Sequence, residues 1–161
     1  MKKTVLSTMV ITLLAGVCIA SPFDYKTASN GYRYVYHQHN EASYQNAYCK
    51  AHKGIEEYEL KDKTRVDCLT DTNAIEFDFA NKAYEAVGQA LHYGIMTGKK
   101  PKVVLILDGA DWKKQLVYYH RIKKIGETYN FDVEYVTDDI LQLDENGNCI
   151  YVNCKCHKQK K

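Results

Sequence analysis

The sequence predicts a single α/β domain, and three observations predict it. Helical and strand periodicities follow one another in the order helix, three strands, helix, strand, and the run 103–107 is unbroken and apolar, as in a strand covered on both faces. The third observation is composition: 161 residues, 45% hydrophobic and 26% charged, with 2 Pro and 9 Gly. That balance belongs to one folded domain and excludes disorder, collagen, a repeat array and a multi-span membrane protein.

Residues 1–20 stand outside the domain. Lys2 and Lys3 precede an uncharged apolar run over 5–15 and then a small-residue stretch ending at Ala20, which reads as a signal peptide cleaved after Ala20. The run is shorter than the roughly 20 residues a spanning helix needs, so an exported protein, periplasmic or secreted and free of the membrane after cleavage, is expected. Val17 ahead of Cys18 argues against lipidation. Loss of Lys2 and Lys3 leaves 20 basic residues against 20 acidic ones, so the net charge of +2 comes from the targeting segment. A globally basic nucleic-acid binder is thereby not indicated, and any such contact must be local. Local positive charge exists at Lys99, Lys100, Lys102, Lys113, Lys114, Arg121, Lys123 and Lys124.

Each element then has a local reason. Residues 21–39 are polar and Tyr-rich without a period, an extended lead-in. Asn40 caps a helix that places Tyr44, Ala47, Tyr48 and Ala51 on one face, carries Glu41 in its first turn and stops at Gly54. Three strand-like segments follow at 55–60, 64–69 and 74–80, separated by turn residues, and suggest an antiparallel meander. In the third, Ile75, Phe77 and Phe79 share one face and Glu76 and Asp78 the other; in the second, Val66 and Cys68 lie opposite Arg65, Asp67 and Leu69. A second helix over 82–97, capped by Asn81 and ended by Gly98, has an apolar stripe of Ala83, Ala86, Val87, Ala90, Leu91 and Gly94. Lys82, Glu85, Gln89 and Tyr93 share its other stripe. A third helix over 112–129 feeds a strand at 131–136, and strands at 140–143 and 149–152 around 145–148 suggest a C-terminal hairpin.

Five cysteines remain after cleavage: Cys49, Cys68, Cys149, Cys154 and Cys156. Export to an oxidising compartment favours pairing, with Cys68 a core thiol or a disulfide partner within reach of Cys49 on the first helix. Cys149, Cys154, Cys156 and His157 fit a disulfide-tied tail better than a zinc site, with connectivity open.

Acids on strands two and three meet at one edge of a small sheet, where their mutual repulsion calls for a compensating cation. Carboxylate oxygens, a strand carbonyl and water suit Mg2+ or Mn2+, ions that serve phosphodiester hydrolysis. On these residues the sequence resembles the PD-(D/E)XK nuclease superfamily. Its first acid corresponds to Asp67 within Arg65-Val66-Asp67-Cys68, its second to Glu76 within Ile75-Glu76-Phe77-Asp78, and the Gln-x-x-x-Tyr of its exonuclease-type branch to Gln89 and Tyr93.

The resemblance implies a restriction-endonuclease-like αβββαβ core over 40–136, a mixed central sheet flanked by helices, followed by the C-terminal hairpin and basic tail over 137–161. It implies Asp67, Glu76, Lys82, Gln89 and Tyr93 as catalytic residues and Glu41, Asp67 and Glu76 as metal ligands. The motif's Pro is Val66 here, and its Lys is Asp78, so Lys82 would bring the ammonium from one turn into the helix. Lys99, Lys100, Lys113 and Lys114 would hold the substrate backbone. The expected activity is metal-dependent hydrolysis of nucleic acid, DNA first, by a monomer or homodimer. Two other readings stand beside it: an inactive relative serving as a periplasmic binding or interaction module, for which Asp78 speaks, and a cysteine-tied interaction module.

Overall fold

The computed structural model describes residues 25–27, 33–35, 39–109 and 111–141. The expected signal peptide, the C-terminal hairpin and Cys149, Cys154 and Cys156 lie outside the described residues. In the lead-in, β1 (Tyr25–Thr27) and β2 (Arg33–Val35) pair antiparallel, with Tyr25 opposite Val35.

Helix α1 (Glu41–Ala51) begins as its sequence dictates: Asn40 Oδ1 accepts the Ser43 amide at 3.1 Å and the Ser43 hydroxyl at 2.6 Å. Its end differs from expectation. Lys53 takes the left-handed backbone, φ 54°, while Gly54 is needed for room, because a Cβ there would lie 2.7 Å from Cys49 Sγ. The three expected strands form as β3 (Ile55–Glu59), β4 (Arg65–Leu69) and β5 (Asn73–Phe79), an antiparallel meander. A 3-10 turn over Ala80–Lys82 leads into α2 (Ala83–Thr97), so Lys82 and not Asn81 occupies the cap position, without a side-chain bond. Gly98 ends α2 at φ 69°, the left-handed cap expected of it.

The two remaining strands, β6 (Lys100–Ile106) and β7 (Asp132–Val136), run parallel to β5 and are joined by helix α3 (Trp112–Tyr129). The sheet is thus mixed, five-stranded and ordered β3-β4-β5-β6-β7. The strand expected at 140–143 is instead met at its start by a 3-10 turn, Asp138–Leu141. Two contacts fix that turn, since Tyr44 Oη donates to Asp138 Oδ1 at 2.7 Å and Leu141 is fully buried in the cluster beneath α1. Among the described residues, no helix is long and apolar enough to cross a membrane.

Both sheet faces are covered, which is what the apolar run of β6 requires. On one face, Tyr44, Ala47, Tyr48 and Cys49 of α1 pack on Ile75, Phe77, Val104 and Ile106. On the other, Ala83, Ala86 and Ala90 of α2 and Ile122 of α3 pack on Val103, Leu105 and Leu107. Small side chains along α2 let it lie close to the sheet. Because Glu76 and Asp78 register with Val103 and Leu105, the two acids point to the α2 side while Phe77 points to α1.

Candidate active site

The candidate site lies where β4 and β5 part. Their register holds at Cys68 with Ile75 and at Leu69 with Ala74. At the next step Asp67 Oδ2 accepts the Phe77 amide at 2.7 Å, so a side chain takes the place of a ladder bond. Here the expected alternation of β4 also breaks: Val66 packs with Leu60, Ala74 and Tyr93, whereas Cys68 joins the α1 cluster. The predicted sharing of a face by Val66 and Cys68 is therefore corrected, the cause being the separation of the strands at Asp67. Opposite it on β3, Glu57 carries a left-handed φ of 52°.

Asp67 is anchored from two directions. Its carboxylate accepts the Phe77 amide and its carbonyl accepts Gln45 Nε2 at 2.7 Å. Gln45, buried in α1, also donates to Glu57 Oε1 at 2.8 Å. The disulfide Cys49–Cys68 ties the same helix to the residue next to Asp67.

Glu76 is only 5% exposed, and its Oε2 has no hydrogen-bond partner among the described residues. Burial, and next the charge of Asp67, push its carboxyl up to about 10. Burial also raises Asp67, to about 6, against the opposing pull of the Phe77 amide and of Glu76. Burial and mutual repulsion thus favour retention of a proton by the pair. Asp78 is 3% exposed and raised by burial, with Lys82 Nζ 3.6 Å away and the Phe79 amide 2.9 Å from Oδ1 as counterweights. Glu41, at the start of α1, is pushed up to about 7, first by burial and then by the charges of Asp67 and Asp78, while Lys82 pulls it down.

These groups come together as their positions in the sequence suggest. Tyr93 is buried, its hydroxyl 3.4 Å from Gln89 Oε1, and burial followed by the negative charge at Glu76 and Asp67 holds its ionisation above the ordinary phenol range. The polar stripe of α2 is not a uniform solvent face: Glu85 is exposed, Gln89 half-buried and Tyr93 buried.

The four lysines are another matter. Lys99 Nζ donates to the carbonyls of Thr70 and Asp71, and Lys100 Nζ pairs with Asp132 at 2.6 Å. Both stand at the end of β5 and β6 away from Asp78, where Lys100 registers with Asn73. Their charge is spent on folding contacts. Lys114 pairs with Asp111 at 2.7 Å and Lys113 lies 5.9 Å from the Trp112 ring centroid, both at the start of α3.

Sequence reasoning missed Gln45 and Glu57. Gln45 follows Glu41 by one helical turn, a signal that could have found it. Glu57 gave none, because its role comes from a kinked strand.

Among the described residues, no group of three or more His, Cys, Asp and Glu is arranged to hold a metal ion. The donors are instead a two-carboxylate clasp, Asp67 and Glu76, with Glu41 and Asp78 near enough to feel its charge. All of these are hard oxygen ligands and one, Glu76 Oε2, lacks a partner; Mg2+ characteristically accepts one or two carboxylates and keeps water for the rest. The residues present therefore fit that ion. Compared with known protein families, curated proteins and solved structures, the chain finds no match.

Proposed function

We propose that this chain is an exported, divalent-metal-dependent nuclease of restriction-endonuclease-like core, hydrolysing phosphodiester bonds of nucleic acid, DNA first. The observation that carries the reading is the buried Asp67/Glu76 pair with its unpartnered oxygen; the Lys82 ammonium stands 3.6 Å from Asp78, the next acid along β5 on the same face. A buried acid pair costs stability, and a fold keeps such a cost where a function uses it. The disulfide within the described residues supports export to an oxidising compartment.

Asp67 and Glu76 would hold the ion, with Glu41 as the next donor. When bound, Mg2+ or Mn2+ supplies Lewis-acid polarisation of the phosphate and compensation of developing charge. Gln45 and the Phe77 amide keep Asp67 in place, so the clasp is preorganised. Lys82 places a cation beside Asp78, within reach of a phosphate at this edge, and serves there in the place of the family's strand lysine. Gln89 and Tyr93 bound the clasp on the α2 side and orient the attacking water.

Purified protein should nick plasmid DNA with added Mg2+ and stop with EDTA. Glu76→Ala that melts as wild type does and still cleaves would overturn the assignment. A second reading has one observation in its favour: Asp78, buried where the family carries Lys, adds negative charge where catalysis needs positive. In an inactive binding protein of this fold, calorimetry would register Mn2+ uptake, or none, with no hydrolysis of any substrate.

A further inference from the structure

A cleft of about 420 Å³ adjoins the acid cluster and is lined by Phe79, Asn81, Lys82, Asp108, Gln115 and Tyr118. We infer that this cleft takes one unstacked base of single-stranded nucleic acid, next to the phosphate held at Lys82; the inference rests on the nuclease reading.

Place comes first. The cleft opens beyond the carboxyl ends of the parallel strands β5 and β6, the side of an α/β sheet where ligands bind. Lys82 belongs to both sites, lining the cleft and standing 3.6 Å from Asp78. A phosphate at Lys82 therefore puts the neighbouring sugar and base at the mouth of the cleft.

Size and chemistry agree. The volume falls at the low end of the ~300–1,000 Å³ typical of small-ligand sites, which suits one nucleoside and not paired strands. Two amides, Asn81 and Gln115, offer the donors and acceptors that read a base edge, and Tyr118 offers aromatic surface for stacking. Gln115 Nε2 is already fixed by the Asp108 carbonyl at 2.8 Å, so its amide is oriented before any ligand arrives. Lys82 thus suits the phosphate, while Asn81, Gln115 and Tyr118 suit a neutral ring.

The test uses a fluorescein-labelled 16-mer, the same strand annealed to its complement, and the same strand with one abasic site. Binding is read by anisotropy in EDTA, and hydrolysis separately in Mg2+. The single strand should bind at least tenfold more tightly than the duplex, and Tyr118→Ala should erase about tenfold of that, in keeping with stacking worth ~1–3 kcal/mol per base. Tyr118→Phe should retain it. Should Tyr118→Ala fail to fold, Gln115→Ala and the abasic strand give the same reading. Equal binding of duplex and single strand, or affinity indifferent to Tyr118, Gln115 and the abasic site, overturns the inference. Hydrolysis in Mg2+ without strand selectivity sinks the cleft and leaves the nuclease standing; selective binding with no hydrolysis does the reverse.

Discussion

Replacing Glu76 by Gln removes a proton-binding group while keeping its shape, and the structure sets the size of the effect. In the folded chain without metal, burial and Asp67 hold Glu76 up to about 10, against 4.5 for an ordinary glutamate. The folded pKa being the higher one, the protonated acid's contribution is complete below pH ~4.5 and is lost as pH climbs toward 10. Between pH 7 and 9 the native state holds one proton more than the unfolded chain at this position. Linkage then gives a fall in unfolding free energy of about 1.4 kcal/mol per pH unit, roughly 3 kcal/mol over the two units. Glu76→Gln should lack this slope and overtake wild type as pH rises. Urea unfolding at pH 7, 8 and 9 in EDTA measures the difference directly. A wild-type minus variant difference constant to within ~0.5 kcal/mol would refute the claim that the pair retains its proton in the fold.

Three further outcomes are expected. Cys49→Ala/Cys68→Ala opens a bond that closes a separation of 19 residues, and should cost about 3 kcal/mol in urea unfolding, with a matching loss of metal-dependent cleavage because Asp67 adjoins Cys68. Gln45→Ala leaves the Asp67 carbonyl and Glu57 without their shared donor; it should cost ~1–3 kcal/mol and weaken Mn2+ binding by calorimetry. Gly98→Ala meets no atom within 4 Å, so its whole effect is the left-handed backbone at φ 69°, about 1 kcal/mol, seen as a lowered urea midpoint with cleavage unchanged.

Much of the fold is legible where local physics decides. The caps at Asn40 and Gly98 and the span of α3 follow from periodicity and from single residues with one strong preference. The alternation of β5 separates Glu76 and Asp78 from Ile75 and Phe77 as written, because both faces of that strand are covered and register cannot slip. Cys68 was legible as either core thiol or bridge, and Cys49 as its reachable partner. Legibility ends where tertiary partners decide. Nothing in the spacing of Lys99 and Lys100 shows that two carbonyls and Asp132 absorb their charge. Nor does the pattern of β4 show that its alternation breaks at Asp67, since the break arises from strands parting around a carboxylate. Ile140 read as strand because an apolar pair says nothing of backbone, and the bond between Tyr44 and Asp138 chose the 3-10 turn.

The outermost strand of the sheet, β3, places Glu56, Glu57 and Glu59 in its five residues and kinks at Glu57. Among the described residues its outer backbone edge pairs with no strand, the natural docking rail for a strand from another molecule. A row of negative charge and a bend midway deny that newcomer both electrostatic welcome and a straight run of hydrogen bonds. Crowded solutions of this protein should accordingly resist edge-to-edge fibre growth from β3, a protection written into the strand itself.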